Sequence, residues 1–169
     1  MAEPIIRLEH ITRTYHAGDV DVHALRDVNL TVDAGEFVAV MGASGSGKST
    51  LMAVIGCLDR PSSGRYFFEG ADVAALTESD RARLRSERLG FVFQSFNLLA
   101  RTSAIENVAL PLFYSAAGPA SATSRVLRAR AALKLLGLGE RERNSPGQLS
   151  GRLPRPTSTS VPTIARTML

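Results

Sequence analysis

Eight consecutive residues could bind the phosphates of a nucleoside triphosphate. They fit the pattern G-x-x-x-x-G-K-[ST] and are Gly42, Ala43, Ser44, Gly45, Ser46, Gly47, Lys48 and Ser49. Glycines let the backbone curl so that successive N–H groups point at one anion, and the positive end of a following helix adds to the attraction. Lys48 would bridge the outer phosphates, and the Ser49 hydroxyl would be a ligand for the accompanying Mg²⁺. The pattern therefore predicts a phosphate-binding loop.

The segments beside this loop distinguish it from a Gly/Ser-rich surface turn. Residues 37–41 form an apolar run of strand length, typical of a strand buried on both faces of an α/β sheet. Residues 50–55 are apolar enough to continue as a helix. A strand, a glycine-rich loop and a helix in that order predict a true phosphate loop.

Composition limits the class of protein. The 169 residues, 44% of them apolar, are enough for one domain with a core. Basic residues are spread along the chain and alternate with acidic ones at 80–88, which indicates a solvated helix face and no nucleic-acid partner. Cys57 is the only cysteine, which favours a reducing compartment. We find no signal peptide or membrane-spanning segment in the sequence, so we expect any membrane contact to run through a partner.

Periodicity predicts the elements that position the loop. Alternating or continuous apolar residues predict strands at 5–15, 24–32, 66–68 and 91–94. Helices are predicted at 79–89 and at 124–136. A capping box at 103–106 predicts the start of a third helix, which Pro111 would kink or end.

Four landmarks occur in a fixed order along the chain. Tyr15 precedes the loop at 42–50, Gln94 ends an apolar strand, and the triplet Leu-Ser-Gly stands at 149–151. Together they resemble the ATP-binding subunit of ATP-binding-cassette (ABC) transporters, in the branch that powers macrolide exporters and lipoprotein-releasing complexes. The resemblance covers about residues 5–151. It implies an α/β fold: a phosphate-loop NTPase core, here a partial ABC ATPase domain, with N-terminal antiparallel β strands and a helical subdomain.

The resemblance also implies ATP and Mg²⁺ as cofactors. Tyr15 would stack on adenine, Gln94 would join Ser49 as a metal ligand and orient the attacking water, and Lys48 would support catalysis. The residues implied to bind the nucleotide are Tyr15, Gly42, Ala43, Ser44, Gly45, Ser46, Gly47, Lys48, Ser49, Thr50 and Gln94. A half-buried strand tyrosine and a strand-end amide remain the alternatives for Tyr15 and Gln94.

An apolar patch at Phe96, Leu98 and Leu99 would, by resemblance, contact a transmembrane permease subunit, with core packing as the alternative. The same resemblance implies a cytoplasmic location, peripheral at the inner face of the membrane. Intact relatives form homodimers, but Pro154 and Pro156 stand where the signature helix should continue, which argues against that dimer here.

The predicted domains are a partial nucleotide-binding domain at 1–151 and an atypical Pro/Thr/Ser/Arg-rich tail at 152–169, which we expect to be disordered. The tail contains no acidic residue and no histidine, so the catalytic Asp-Glu pair and the switch histidine that the resemblance implies are missing after the signature. A sheet without that acidic strand would leave apolar edges and faces uncovered.

The resemblance implies an ATP-binding subunit that couples ATP binding and hydrolysis to export or lipoprotein release through a membrane partner. Because the general base is absent, we expect the chain alone to be inactive, and a non-hydrolysing nucleotide-binding fragment is the alternative. An unrelated phosphate-loop kinase would need an acceptor site and a basic lid instead of the landmarks at Gln94 and 149–151.

Overall fold

The computed structural model describes residues 3–93, 97–115 and 121–149. The chain divides into two compact units, Met1–Arg85 and Ser86–Leu169, and each is described by itself. Several predicted features lie outside the described residues, namely Gln94, Phe96, the end of the signature triplet at 150–151 and the tail at 152–169.

An antiparallel sheet forms the framework of the first unit. Its strands are β1 (Ile6–Ala17), β2 (Val20–Val32), β3 (Ser63–Phe68) and β4 (Ala71–Asp72), in the spatial order β2-β1-β3-β4. The predicted strands at 5–15, 24–32 and 66–68 are confirmed, and each extends further than its periodicity indicated. Gly18, in the two-residue turn between β1 and β2, has a φ of 61°, a conformation that glycine adopts without steric cost.

One helix of the first unit, α1 (Lys48–Ile55), begins at the phosphate loop and contacts β2. The Tyr66 hydroxyl of β3 donates a 2.7 Å hydrogen bond to the carbonyl oxygen of Ile55, at the end of α1. The helix and the sheet therefore share one core. Its buried apolar residues are Leu8, Ile11, Leu25, Leu51, Val54, Cys57, Tyr66, Phe68 and Val73.

A charged helix, α2 (Glu78–Glu87), follows a short 3₁₀ turn at Val73–Ala75. The sequence predicted a solvated face for its arginines, and for Arg81 this is wrong, because that residue is only 4% exposed. Its Nη2 donates to Glu78 Oε2 at 2.5 Å. Arg85 donates from Nη1 to the Cys57 carbonyl oxygen at 2.9 Å, and this bond ties α2 to the turn that follows α1.

The second unit contains α3 (Ala104–Tyr114), α4 (Ala122–Leu135), a 3₁₀ turn at Gly139–Arg141 and the short α5 (Pro146–Leu149). Helices α3 and α4 contact each other and bury Ala104, Ala129 and Leu133. The predicted capping box is confirmed, because Ser103 N–H donates to Glu106 Oε2 at 2.7 Å and Glu106 N–H donates to Ser103 Oγ at 3.4 Å. Pro111 lies within α3 rather than ending it.

Two predicted strands do not form. Residues 37–41 and 91–93 have no regular secondary structure, and their side chains are open to solvent, with Phe37 93% and Val92 100% exposed. A strand buried on both faces needs a neighbouring strand on each edge and helices across its faces. Neither segment has a strand partner within the part of the chain that the structure describes. The sequence predicted uncovered faces on a sheet, whereas the structure exposes the apolar side chains at 37–41 on a segment that is not a strand.

Candidate functional site

The phosphate loop is shaped by glycines with left-handed backbone angles. Gly45 has a φ of 80° and Gly47, the residue before α1, has a φ of 88°. A Cβ on Gly47 would lie 2.3 Å from the carbonyl oxygen of Ala24 in β2. A side chain at that position would therefore be excluded both by backbone conformation and by the neighbouring strand. This close approach holds the loop against β2.

Among the residues described, no group satisfies the first N–H donors of helix α1. It has no side-chain cap and no acidic residue in its first turn. Leu51 N–H is the first to bond along the helix, at 2.8 Å to the Gly47 carbonyl oxygen. The N–H groups of Lys48, Ser49 and Thr50 have no acceptor among the residues described. An anion could accept hydrogen bonds from these donors, and the positive end of the helix dipole would add to the attraction.

The Lys48 ammonium lies within the curl of the loop. Its Nζ donates to the carbonyl oxygens of Gly42 at 2.9 Å and Ala43 at 2.6 Å, and it lies 3.3 Å from Ser46 Oγ. All three partners are neutral, so a negatively charged phosphate oxygen would be a stronger acceptor for the same ammonium. The loop thus places its only lysine where an anion would lie.

An open cavity of about 560 Å³ adjoins the loop. Its walls are residues 22–24 of β2 together with Ser44, Gly45 and residues 47–50. The volume falls within the range of about 300–1,000 Å³ typical of small-molecule sites. The predicted loop residues are therefore brought together around a space large enough for a nucleotide.

Of the two predicted Mg²⁺ ligands, the structure describes one, the Ser49 hydroxyl, which is exposed on the first turn of α1. A hydroxyl oxygen is a hard ligand that suits Mg²⁺, which retains several water ligands when bound to proteins. Gln94, the second predicted ligand, lies outside the described residues. No group of three or more His, Cys, Asp or Glu side chains that could hold a metal occurs in the described ranges. The described part of the site thus fits a metal shared with the nucleotide phosphates.

Tyr15 lies on β1 and is 37% exposed, so its role in stacking on adenine stays a prediction beside the alternative of a half-buried strand tyrosine. Its hydroxyl donates to Asp59 Oδ2 at 2.7 Å, and the guanidinium carbon of Arg13 lies 4.4 Å from the ring centroid. Arg13 also donates to both oxygens of Asp59, from Nε at 2.9 Å and from Nη2 at 2.8 Å. The structure therefore places Tyr15 in a three-residue cluster, and two of its members, Arg13 and Asp59, were not found by sequence reasoning.

Opposing effects act on the pKa of Asp59. Partial burial raises it, but hydrogen bonds from Tyr15 and the Arg60 N–H, together with the Arg13 guanidinium, outweigh burial and hold the pKa below its ordinary value. Partial burial lowers the pKa of Arg13, but its contacts with Tyr15 and Asp59 outweigh this and raise the pKa above its ordinary value. The pair is therefore charged throughout the neutral range.

In the second unit, Leu98 and Leu99 of the predicted docking patch are exposed, and the contact of this patch with a permease stays a prediction. The Leu99 backbone is held by Asn107, whose Oδ1 accepts a 2.8 Å hydrogen bond from the Leu99 N–H. No helix in the described ranges is both long and apolar enough to cross a bilayer.

The sequence profile described as ABC transporter matches residues 25–152, well over half of the chain. The chain belongs to the ABC transporter family. Within it, two similar relatives are the macrolide export ATP-binding/permease proteins MacB of Syntrophobacter fumaroxidans and Azoarcus sp. The first is 54% identical over 147 residues, which is 87% of this chain and 20% of the relative. The second is 54% identical over 148 residues, 88% of this chain and 22% of the relative. This ABC chain therefore spans about a fifth of the length of the curated relatives it matches.

Two solved ABC cassettes have the same fold. One is a dimeric ATP-binding cassette in a post-hydrolysis state bound to ADP and Pi, with a TM-score of 0.77 and 41% identity over 86% of this chain and 63% of that one. The other is a dimeric bacterial ABC transporter cassette, with a TM-score of 0.75 and 44% identity over the same shares, 86% and 63%. The predicted fold class, a partial ABC ATPase domain with an N-terminal antiparallel sheet, is confirmed. The comparisons do not favour the alternative of a non-hydrolysing fragment.

Proposed function

We propose that this chain is the ATP-binding component of an ABC exporter, with residues 42–50 as the site for the triphosphate of ATP. The observation that supports this most directly is the placement of Lys48. Its ammonium lies inside the loop on neutral carbonyl acceptors, beside three helix N–H groups without acceptors among the described residues. Phosphate oxygens would take up both sets of donors at once.

Each loop residue has a distinct role in this proposal. Gly45 and Gly47 keep the backbone open so that phosphates approach the N–H groups, and Lys48 binds the outer phosphates. Ser49, with Gln94, would hold Mg²⁺, which when bound offsets phosphate charge. Tyr15 provides a surface on which adenine stacks. Lys48 and Gln94 support phosphoryl transfer by positioning and electrostatic stabilisation.

The proposed coupling follows the printed names of the relatives. Those proteins combine ATP-binding and permease functions in macrolide export, and the solved cassettes are dimers. We infer that this chain couples ATP binding and hydrolysis to export or lipoprotein release through a transmembrane permease. It would act at the cytoplasmic face of the membrane, with exposed Leu98 and Leu99, together with Phe96, contacting that permease.

Calorimetric titration of the 169-residue chain with Mg-ATP tests the nucleotide site. Lys48→Ala should weaken binding at least about tenfold, because it removes a charge-assisted contact to the phosphates. The chain has only one other lysine, Lys134, near the end of α4, so Lys134→Ala is a matched control and should bind like the parent. Equal affinities for the two variants would rule out the proposed site.

Phosphate release should be measured on the same samples. The sequence predicts that the chain alone does not hydrolyse ATP. Phosphate release that depends on Lys48 would contradict that prediction. Either result leaves the binding comparison between the two lysine variants intact.

A further inference from the structure

The Tyr15 ring is held at its edge and on one face. At the edge, the hydroxyl donates to Asp59 Oδ2 at 2.7 Å. On the face, the Arg13 guanidinium carbon lies 4.4 Å from the ring centroid, a cation–π distance. Arg13 is itself fixed by its two bonds to Asp59, at 2.9 and 2.8 Å. The ring orientation is thus set before any ligand binds.

Asp59 connects this cluster to the helix that starts at the phosphate loop. The carboxylate accepts the Arg60 N–H at 2.8 Å, in the turn that follows α1. The same turn is joined to β1, because Ser62 N–H donates to the Thr12 carbonyl oxygen at 2.7 Å and Thr14 N–H donates to Ser62 Oγ at 3.0 Å. Since α1 begins within the loop, one helix links the Tyr15 cluster to the phosphate donors.

The register of the hairpin places Tyr15 opposite a residue that lines the cavity. Tyr15 in β1 is directly opposite Val22 in β2, and directly opposed residues of an antiparallel pair extend on the same face. Val22 lines the cavity that adjoins the phosphate loop. Because Arg13 covers one face of the ring, a planar base could stack only on the other.

We propose that Arg13 and Asp59 are positioning residues that orient the Tyr15 ring as a one-sided platform for the adenine base of the nucleotide. This inference rests on the proposed function, since it requires a nucleotide whose phosphates lie in the loop. Neither residue contacts the base. They act through Tyr15, because a ring that is already ordered loses less conformational freedom when the base stacks on it.

Two probes separate base binding from phosphate binding in calorimetric titrations with Mg²⁺, namely ATP and inorganic tripolyphosphate. Base stacking on an aromatic side chain contributes binding free energy, so Tyr15→Ala should weaken ATP binding about tenfold or more. Arg13→Gln should weaken it about threefold to tenfold, with tripolyphosphate binding changed by less than about twofold. A double variant that combines Tyr15→Ala with Arg13→Gln should bind ATP as tightly as Tyr15→Ala alone, because Arg13 acts only through the Tyr15 ring.

The same strand offers a matched control. The Arg7 guanidinium carbon lies 4.3 Å from the Phe67 ring centroid, and Arg7 pairs with Glu9 at 2.7 Å. Arg7→Gln therefore removes an arginine with the same kinds of contact, but one whose aromatic partner is Phe67 and not Tyr15. It should leave the affinity for both probes unchanged. Asp59→Asn, which preserves side-chain size, should reproduce the effect of Arg13→Gln and gives a second test if that variant does not fold.

Three results would overturn the inference: an equal loss for ATP and tripolyphosphate in Arg13→Gln, no loss for either probe, or a further loss of ATP affinity in the double variant. The Lys48→Ala variant distinguishes these three results from a failure of the proposed nucleotide-binding function. If Lys48→Ala left the binding of both probes unchanged, the nucleotide site itself would be wrong. If Lys48→Ala weakened both while Arg13→Gln gave one of the three results, only the positioning role would be lost.

Discussion

Strand β1 and the segment 37–41 are both rich in residues that favour strands, and both belong to the first unit, yet only β1 is a strand. It is hydrogen-bonded to β2 on one edge and β3 on the other, and its Ile11 is completely buried. Residues 37–41 have no strand partner in the described ranges, and Phe37 is 93% exposed. Apolar character makes a strand possible, but burial depends on neighbours that are distant in sequence.

The phosphate loop forms although the segment before it is not a strand. On its other side, α1 buries Leu51 and Val54 in the core, and Gly47 lies against the backbone of β2. The loop is therefore positioned by the helix that follows it and by the antiparallel sheet. This explains how the site geometry persists beside an exposed apolar segment.

The largest predicted effect separates the two regions directly. Ile11→Ala removes a fully buried side chain and should lower the free energy of unfolding by about 2–5 kcal/mol. Phe37→Ala removes a larger but exposed side chain and should change it by less than about 0.5 kcal/mol. Urea unfolding followed by circular dichroism measures both. A cost for Phe37→Ala comparable to that for Ile11→Ala would mean that the segment 37–41 packs into the core.

A smaller effect is expected where β3 meets α1. Tyr66→Phe removes the buried hydroxyl that bonds to Ile55 at 2.7 Å, and should cost about 1.5 kcal/mol. Tyr114, exposed at the end of α3, is the matched position, and Tyr114→Phe should have almost no effect. Equal costs in urea unfolding would contradict the shared core of sheet and helix.

The start of helix α3 is stabilised by a contact between residues three positions apart, whereas strand β1 pairs with β3, which is distant in sequence. Ser103→Ala removes the N-cap and should cost about 1 kcal/mol. Ser115→Ala, at the other end of the same helix, removes no cap bond in the part of the chain that is described and should change stability by less than about 0.5 kcal/mol. Hydrogen exchange of the first turn of α3 is the sensitive measurement, since it should speed up only in Ser103→Ala.

The smallest effect concerns the pH dependence of the first unit. The native pKa of Asp59 is below its ordinary value of 3.8, so the unfolded chain takes up a proton at higher pH than the folded one. The stability contributed by Asp59 is therefore present above about pH 4 and is lost as the pH falls through the lower native pKa. Asp59→Asn should make stability less dependent on pH in this acidic window. If the free energy of unfolding changed with pH in the same way for the variant and the parent, the Asp59 carboxylate would make no pH-dependent contribution to stability.

Local sequence determined those features that need only neighbouring residues. The loop at 42–50 was predicted because glycine conformations and the start of α1 are encoded within a few positions, and the capping box at 103–106 for the same reason. Alternation along 5–15 and 24–32 predicted β1 and β2, since each strand presents one face to the core.

Tertiary structure alone decided which apolar and charged groups are buried and paired. Arg13 and Asp59 are 46 positions apart, so no local pattern could join them to Tyr15. Arg81 is buried in a helix whose charge pattern indicated solvent exposure, and residues 37–41 are exposed despite their apolar sequence. Periodicity and backbone angles act within a few residues, whereas burial and ion pairing depend on distant parts of the chain that must meet in the folded protein.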